Sequence, residues 1–533
     1  MSTKPSLAVI LVLACSLTPL LAEGSGREAV LSLDPPVEGS EAARGPLQVG
    51  EEMVMTLRSP RVASAPGARA ARPVWTQEIY YPEATYICPH FERLKLPEGA
   101  SLIVRSPDGS RSWTYPDPGK AAVAEEGFWG IHIHGDRAVV ELYSSTSLEE
   151  SAVVIDKFAH GFAAWESPSL ALRAICGTDN SKEARCYTSV ETLYRRSRTV
   201  ARLLIGGVGG CTGWLVGTSG HVMTNQHCIG SSSAAANTNF EFIAEGANCS
   251  SNCKSSGACP GVVVATSSTL IKANASLDYS LVLLPTNPTG TYGYLKMRNA
   301  LPSLNERIYI PQHPQFWGKR LAVESTHSQD QSGFCEIFST SQSPCTGGPG
   351  DIGYFADTQG GSSGSPVIAY NDHNVVSLHH CANCPNRGLR TTAIISDLGG
   401  SLPPNSVATA CNGTSGQWAG CRGTGCHVCS EKVASHPLYF KNHPECISNP
   451  TCAGLYFTCN SKCPQPGSAD QCNGTSGQWA GCRGTGCHVC AEKVANYPCY
   501  FRNHPWCIPN STCGGLYFTC NANCPAPTAA DQC

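Results

Sequence analysis

A serine in a glycine-rich turn is the first residue of this sequence whose surroundings could support chemistry. The turn reads Asp357-Thr-Gln-Gly-Gly-Ser-Ser363-Gly-Ser-Pro366, with glycines on both sides of two serines and a proline at its end. Such a turn can expose the Ser363 hydroxyl for attack on a carbonyl while amide N–H groups face the oxyanion that forms. Most Gly/Ser loops are plain turns, so this serine needs a base and an acid elsewhere.

His227 is the candidate base. An isolated histidine is more often a surface or packing residue than a catalytic one. His227, however, is followed directly by Cys228, and Cys211 lies 17 residues before that cysteine, across a hairpin. A disulfide Cys211–Cys228 would hold the histidine backbone in place, as a general base requires.

Asp278 is the candidate acid, since it stands at the mouth of the apolar run Tyr279-Ser-Leu-Val-Leu-Leu284. A lone aspartate at a strand end is usually a turn residue, but here it could also fix the tautomer of an imidazole. The order His227, Asp278, Ser363 is that of chymotrypsin, and it differs from the orders of subtilisins and α/β-hydrolases. Three weak signals therefore agree on a hydrolytic triad.

Short β-type runs punctuated by glycine and serine must position these residues. They continue from residue 175 to about residue 398, which is long enough for two small antiparallel barrels. Earlier runs at 101–105, 129–134 and 138–142 predict a small β-sandwich in the N-terminal part. The sequence therefore predicts a mainly β protein.

Two histidines in the N-terminal part have the spacing of metal ligands. His132 and His134 lie two apart, on one face of a predicted strand. Because no third ligand is evident in the sequence, we expect a surface strand and no metal site.

Length, charge and the first residues limit the class of protein. A chain of 533 residues predicts about two to four domains, and a net charge of −3 gives no basic footprint for nucleic acid. Residues 1–22 read as a secretory signal peptide, with an acylated box ending at Cys15 as the less favoured alternative. No later stretch is long and apolar enough to predict a transmembrane segment, so we expect a secreted, extracellular protein.

Thirty-one cysteines in an exported chain predict disulfides rather than metal ligation. Besides Cys211–Cys228, the short loop between Cys335 and Cys345 predicts a second bond. Removal of Cys15 with the signal peptide leaves an even number of cysteines.

The C-terminal part is a tandem repeat with a period of 61 residues, each unit holding eight matched cysteines. We expect two disulfide-rich repeats, at 411–471 and 472–533. Aromatic residues such as Trp418 and Tyr439 suit the binding of a cell-surface polysaccharide or protein, or they form the small core of each unit. The Cys426-His427-Val-Cys429 run permits zinc, but export favours disulfides.

Residues 175–400 resemble a trypsin-like serine endopeptidase of the chymotrypsin clan, with the nearest likeness to secreted bacterial lysyl and glutamyl endopeptidases. The resemblance covers less than half of the chain. It rests on three motifs of that family, which are similar to Thr224-Asn-Gln-His-Cys228, Asp278-Tyr-Ser-Leu-Val282 and Gly361-Ser-Ser-Gly-Ser-Pro366. The stretches 310–314 and 176–186 resemble an internal strand and the mature start of the lysyl endopeptidases.

The resemblance implies roles for single residues. Ser363 would be the nucleophile, His227 the general base and then acid, and Asp278 the residue that orients the base. The backbone N–H groups of Gly361 and Ser363 would form the oxyanion hole. The resemblance alone also implies a disulfide Cys176–Cys384 and no cofactor.

The resemblance leaves the specificity of cleavage open. Asp357 stands where trypsin-like enzymes have the base of the primary pocket, which favours cleavage after Lys or Arg of protein substrates. Thr358 and His379 match positions that glutamyl endopeptidases use to hold a carboxylate. Arg387 falls near the acidic specificity residue of lysyl endopeptidases. We expect a basic preference, with cleavage after Glu as the alternative.

The resemblance also implies the domain layout and the mode of activation. We expect a pro-region with a β-rich domain at 23–173 and the protease domain at 174–402. Ser362 replaces the aspartate that precedes the nucleophile in most animal trypsins, so activation by a new N-terminus is not expected. Removal of an inhibitory pro-segment near Arg173 is expected instead. A binding protein with an inactive protease-like domain is the alternative class.

Overall fold

The structure, a computed structural model, describes residues 45–63, 72–121, 123–124, 126–163 and 173–408. It also describes the C-terminal segments 428–429, 448–452, 455–458, 489–490, 499–503, 509–513, 516–519 and 528–532. The expected signal peptide lies outside these residues, as do Trp418, Tyr439 and the start of the Cys426-His427-Val-Cys429 run.

Residues 45–163 form a β-sandwich. The segment begins with β1 (Leu47–Gln48), which pairs outside the sandwich. The strands of the sandwich are β2 (Gly50–Arg58), β3 (Trp75–Tyr80), β4 (Tyr86–Lys95), β5 (Ala100–Arg105), β6 (Ser112–Tyr115), β7 (Val123–Ala124), β8 (Phe128–Trp129), β9 (Ile133–His134), β10 (Arg137–Ser144) and β11 (Val153–Gly161). One sheet has the order β3-β10-β5-β6, and the other has the order β2-β11-β4-β7 with β8 and β9 also paired to β4.

The alternation of apolar and polar residues explains why these strands pack in two layers. In β5, for example, Leu102 and Val104 are fully buried, and they contact the same core as Phe91 of β4 and Ile155 of β11. Side chains two residues apart lie on the same face of a strand, so each sheet turns one apolar face inward. The sandwich predicted from the sequence is confirmed.

The first half of residues 173–408 is an eight-stranded antiparallel sheet with the order β18-β17-β14-β15-β16-β20-β19, joined by β1. The elements up to this point of the chain are β12 (Arg173–Ala174), β13 (Lys182–Glu183), α1 (Glu191–Ser197), β14 (Val200–Ile205), β15 (Gly209–Val216), β16 (His221–Thr224), α2 (Ser232–Ala236), β17 (Thr238–Phe242), β18 (Val262–Ala265), β19 (Thr269–Asn274) and β20 (Tyr279–Leu283).

The second half is another eight-stranded antiparallel sheet, with the order β13-β22-β21-β26-β27-β28-β24-β23. Its elements are α3 (Thr289–Tyr292), β21 (Ile308–Gln312), β22 (Arg320–Ala322), β23 (Ile337–Gln342), β24 (Asp351–Tyr354), β25 (Thr358–Gln359), β26 (Pro366–Ala369), β27 (Val375–Cys381), β28 (Asn386–Arg390) and α4 (Thr391–Leu398). Single 3-10 turns occur at Ala184–Tyr187, Pro314–Phe316, Gly399–Ser401 and Ala529–Gln532.

One apolar core joins the two sheets of residues 173–408. Trp214 of β15 and Leu281 of β20 belong to the same cluster as Tyr309 of β21 and Leu378 of β27, and all four are fully buried. The predicted pair of antiparallel barrels is therefore confirmed, and the line between them is where residues from both halves can meet.

The described C-terminal segments contain the same three-stranded sheet twice. Its elements are β29 (Val428–Cys429), β30 (Ser448–Cys452), β31 (Leu455–Thr458), β32 (Val489–Cys490), α5 (Tyr500–Asn503), β33 (Pro509–Cys513) and β34 (Leu516–Thr519). The first sheet has the order β29-β31-β30, and the second has the equivalent order β32-β34-β33. The two sheets follow the sequence repeat.

Five disulfides lie within residues 173–408: Cys176–Cys384, Cys186–Cys249, Cys211–Cys228, Cys253–Cys259 and Cys345–Cys381. The predicted bond Cys335–Cys345 is wrong, because Cys345 bonds to Cys381 while Cys335 is a buried free thiol in that part of the chain. Cys345 and Cys381 are brought together by pairing of β23, β24, β28 and β27.

Candidate active site

His227 and Asp278 meet at the end of the first sheet. His227 follows β16, and the bond Cys211–Cys228 links the residue after it to β15. His227 Nδ1 lies 2.8 Å from Asp278 Oδ2, and the His227 backbone N–H donates to Asp278 Oδ1 at 3.0 Å. Two contacts to one carboxylate fix both the backbone and the ring of the histidine.

A tight turn between β19 and β20 presents Asp278. Its backbone is in the left-handed region at φ +57°, and Asn225 Nδ2 donates to its carbonyl oxygen at 2.9 Å. Few residues other than glycine, asparagine and aspartate adopt this conformation at low cost. The turn therefore aims the carboxylate back at the imidazole instead of along the strand.

Asp278 is ionised at neutral pH. Burial alone would raise its pKa, but hydrogen bonds from His227 and His380 and their charges hold the pKa well below the ordinary range. An anionic carboxylate accepts a hydrogen bond from the protonated Nδ1 of His227. The Nε2 atom of that ring then carries no proton and can act as a base.

The Ser363 loop is attached to β15. Thr212 N donates to the Ser363 carbonyl at 2.9 Å, and Thr212 Oγ1 donates to the Gly361 carbonyl at 2.8 Å. Cys228 Sγ lies 4.0 Å from the Ser363 carbonyl oxygen, so the serine loop lies beside the residue that follows His227. Ser363 is half-buried.

Backbone conformation in this loop suits an oxyanion hole. Gly361 has φ +88°, and among the described residues neither its amide nor that of Ser363 donates to another backbone group. Two such N–H groups within one tight turn can donate to a developing oxyanion without first breaking other bonds.

The expected pocket residues are all buried beside this loop. Asp357 Oδ2 accepts from Asn180 N at 2.8 Å, so one oxygen of the carboxylate is engaged by the segment that follows Cys176. Burial raises the pKa of Asp357 to about 6, although hydrogen bonds from backbone N–H groups oppose the rise. Thr358 Oγ1 is buried without a hydrogen-bond partner in the described chain.

His379 is also buried, and its Nδ1 lies 2.8 Å from the Tyr354 hydroxyl. Burial and the neighbouring imidazoles of His380 and His227 lower the pKa of His379 to about 3, so its ring is neutral. Arg387 donates instead to the carbonyl of Ser343 at 2.9 Å.

His380 is a site residue that the sequence reasoning missed. Its side chain is buried, and its Nδ1 lies 3.4 Å from Asp278 Oδ2, on the same carboxylate that binds His227. The sequence offered only a weak signal, a second histidine after His379, because consecutive strand residues normally face opposite sides.

His132 and His134 do not lie on a surface strand, and that expectation is wrong. His132 is 2% exposed, and both rings face Glu241 of β17, with His134 Nε2 2.9 Å from Oε1 and His132 Nε2 3.6 Å from Oε2. Arg202 and the Gly261 amide also donate to this carboxylate, so each of its oxygens is already engaged. The cluster joins the sandwich to the first sheet.

Comparison with known proteins identifies the peptidase region. A family model described as a trypsin-like peptidase domain matches residues 211–378, a range that contains His227, Asp278 and Ser363. The secreted RxLR effector protein 73 of Plasmopara viticola is 39% identical over 336 residues, which cover 61% of this chain and 82% of that protein.

Two solved structures are also similar. The Rv3671c protease of M. tuberculosis in its active form is 15% identical with a TM-score of 0.29, covering 42% of this chain and 86% of that one. A Glu endopeptidase in complex with MPD is 17% identical with a TM-score of 0.30, covering 43% of this chain and 98% of that one.

In the described ranges, no helix has both the length and the apolar character to cross a membrane.

Proposed function

The chain belongs to the family of the secreted RxLR effector protein 73 of Plasmopara viticola and carries a trypsin-like peptidase domain, and we propose that it is a secreted serine endopeptidase. One observation carries the proposal. The buried carboxylate of Asp278 holds Nδ1 of His227 at 2.8 Å, beside a serine loop with two amides available to an oxyanion.

In the proposed reaction, Ser363 Oγ attacks the scissile carbonyl carbon while His227 Nε2 takes the hydroxyl proton. The negative charge moves to the carbonyl oxygen, which the amides of Gly361 and Ser363 stabilise. The C–N bond then breaks, and the proton on His227 passes to the leaving amine. Water repeats the two steps on the ester and regenerates Ser363.

Replacement of Ser363 by alanine tests the activity. The S363A variant should lose about 10^4- to 10^6-fold of peptide hydrolysis and all labelling by a fluorophosphonate probe. Ser365→Ala is the matched control, because Ser365 lies in the same loop but is fully buried. Equal cleavage by wild type and S363A would contradict the proposal, and absence of wild-type labelling would favour a binding protein with an inactive peptidase domain.

For specificity, we propose cleavage after Lys or Arg. The buried carboxylate of Asp357 would gain no hydrogen bond from a neutral substrate side chain, which makes such a substrate unfavourable. A cationic substrate side chain would donate a charge-assisted hydrogen bond to it. The partnerless hydroxyl of Thr358 and the nearby ring of His379 favour Glu as the second candidate. A neutral His379, however, supplies no charge to hold a glutamate carboxylate.

Matched peptides that differ only in Lys, Arg or Glu before the cut bond would separate the two candidates. Asp357→Ser should lower kcat/KM for the Lys and Arg peptides specifically, whereas Thr358→Val should spare them. Efficient cleavage after Glu alone would exclude the basic preference and leave the triad proposal intact.

We also propose that the N-terminal part inhibits the enzyme before processing near Arg173. Strand β12 pairs with β25 directly before the serine loop, with Ala174 opposite Thr358. Strand β1 pairs with the start of β15, and Leu47 lies against Gly360, where an added Cβ would be 3.0 Å from Leu47 Cδ1. Residues 47 and 173–174 therefore lie against residues 358–360, directly before the serine loop.

A further inference from the structure

His380 lies in a β-bulge next to the triad. Strand β27 pairs with β28 through His379 opposite Gly388 and Cys381 opposite Arg387, so His380 is the extra residue on its strand. Such a bulge turns a side chain away from the direction that regular alternation would give it. The bulge explains why His379 and His380, although consecutive, both reach the centre of the site.

Two carboxylates face opposite nitrogens of the His380 ring. Nδ1 lies 3.4 Å from Asp278 Oδ2, which is an ion-pair distance, and Nε2 lies 3.0 Å from Asp351 Oδ2. The His380 side chain is fully buried, and those of Asp278 and Asp351 are 6% and 1% exposed. An imidazole that faces an anion with each nitrogen is stabilised as the imidazolium, which carries a proton on both.

The ionisation of this ring follows from its neighbours. Burial alone would lower the pKa of His380, but hydrogen bonds to Asp278 and Asp351 and their charges raise it to about 9. Besides these two carboxylates, the rings of His379 and, across Asp278, His227 face it. His379 is neutral, so its ring does not oppose the positive charge of His380.

We propose that His380 is a positioning residue, an imidazolium clamped between Asp278 and Asp351 that holds the triad carboxylate and shifts the acid limb of the activity profile to lower pH. This inference rests on the proposed function. It extends the line of contacts from His227 and Asp278 to His380 and Asp351.

The sign of the effect follows from charge. A carboxylate that faces one imidazolium already has part of its charge balanced, so it stabilises a second imidazolium at His227 less well. Protonation of His227 abolishes its action as a base. With His380 charged, the loss of activity on acidification therefore begins at a lower pH than it would beside an isolated Asp278.

The pH profile of kcat/KM tests the role. His380→Gln should move the acid limb of the profile upward by about 0.5 to 1 pH unit, so that the rate at pH 6 falls about 3- to 10-fold relative to pH 8. Asp351→Asn removes one of the two charges that keep His380 protonated, so the His380 ring should lose its second proton at a lower pH than in the wild type. His373→Gln is the control: it replaces a histidine outside the triad that contacts the Tyr309 hydroxyl at 3.1 Å.

A purely structural role would lower the rate equally at all pH values. An unchanged acid limb in an active, folded H380Q enzyme would overturn the proposal. If H380Q failed to fold, a histidine titration pattern unchanged by D351N would overturn it instead. Nitrogen-15 NMR of labelled histidines in the S363A background gives a readout without proteolysis. The His380 resonances are those missing from the H380Q spectrum, and at pH 7.5 they should show a doubly protonated ring. A neutral ring at that pH would also overturn the proposal. This readout does not depend on whether the chain is a protease.

Discussion

At the scale of single residues, Asp278 combines an unusual backbone with a charge. Asparagine tolerates the left-handed conformation at φ +57° as well as aspartate does, so Asp278→Asn removes the charge without straining the turn. The amide cannot hold His227 in the tautomer that leaves Nε2 free. We expect kcat to fall about 10^4-fold while the folded state persists.

Steady-state kinetics with circular dichroism would measure this change. Asp372→Asn serves as the control, since Asp372 pairs with Arg298 away from the triad. A D278N enzyme with wild-type kcat would contradict the role of Asp278.

Gly364 is a second single-residue constraint. Its φ is +88°, and an added Cβ would lie 2.1 Å from the Thr212 carbonyl oxygen. Gly333 has a similar φ of +79° but open space around it. We expect Gly333→Ala to lower the free energy of unfolding by about 1 to 2 kcal/mol, and Gly364→Ala to cost more and to reduce activity as well. Chemical denaturation of both variants would check the difference, and equal losses would contradict it.

The site residues differed in how far the sequence could predict them. His227, Asp278 and Ser363 stand in short motifs, and the structure places the motifs of the first two in contact. His380 could not be predicted, because its role depends on a bulge and on Asp351, which a different strand brings to it. The pairing of Cys345 was also missed, since a short loop between two cysteines says nothing about how strands align.

At the scale of elements, the bond Cys211–Cys228 ties β15 to the turn that carries His227. It closes a loop of 17 residues, and its loss should lower the free energy of unfolding by about 3 kcal/mol. Cys253–Cys259, with a separation of 6 residues, should contribute about 2 kcal/mol. The two bonds thus contribute similar amounts to the free energy of unfolding, but they differ in position.

Removal of each pair of cysteines by alanine would separate these effects. We expect the Cys211→Ala/Cys228→Ala protein to lose activity beyond its loss of stability, because His227 is no longer held. The Cys253→Ala/Cys259→Ala protein should keep its kcat at temperatures where it is folded. Equal kcat values for both folded variants would show that the first bond does not position the base.

The strands themselves were largely predictable, because alternating apolar residues and glycine punctuation mark them locally. Their partners were not. The pairing of β1 with β15 and of β12 with β25 joins residues more than a hundred positions apart, and nothing in the short segments 47–48 and 173–174 signals a partner.

At the scale of the whole molecule, we expect the cluster of His132, His134, Glu241 and Arg202 to make the attachment of the sandwich sensitive to acid. Burial and the charges of His132 and Arg202 lower the pKa of His134 to about 4, although Glu241 opposes the shift. Unfolding returns the ring to an ordinary value of about 6.5. Between these values the unfolded chain binds more protons, so stability is present above about pH 6.5 and is lost as the pH falls toward 4.

Denaturant unfolding of the S363A protein from pH 7.5 to 4.5 would measure this dependence. His134→Gln should flatten the curve by up to about 1.4 kcal/mol per pH unit in that window. His90→Gln, which removes a histidine paired with Asp156 inside the sandwich, is the control. Parallel curves for wild type and H134Q would contradict the assignment.

The seam between the sandwich and the peptidase region has a consequence for how the enzyme must be made. Phe316 and Leu204 are at most 1% exposed because Val49, Tyr86, Cys88, Trp129 and Ala159 cover them. A chain that began at residue 174 would present these side chains and the bare edge of β15 to water, and such surfaces self-associate. We therefore expect a peptidase region synthesised from residue 174 alone to give less soluble protein than one synthesised together with the N-terminal part, and equal soluble yields would contradict this.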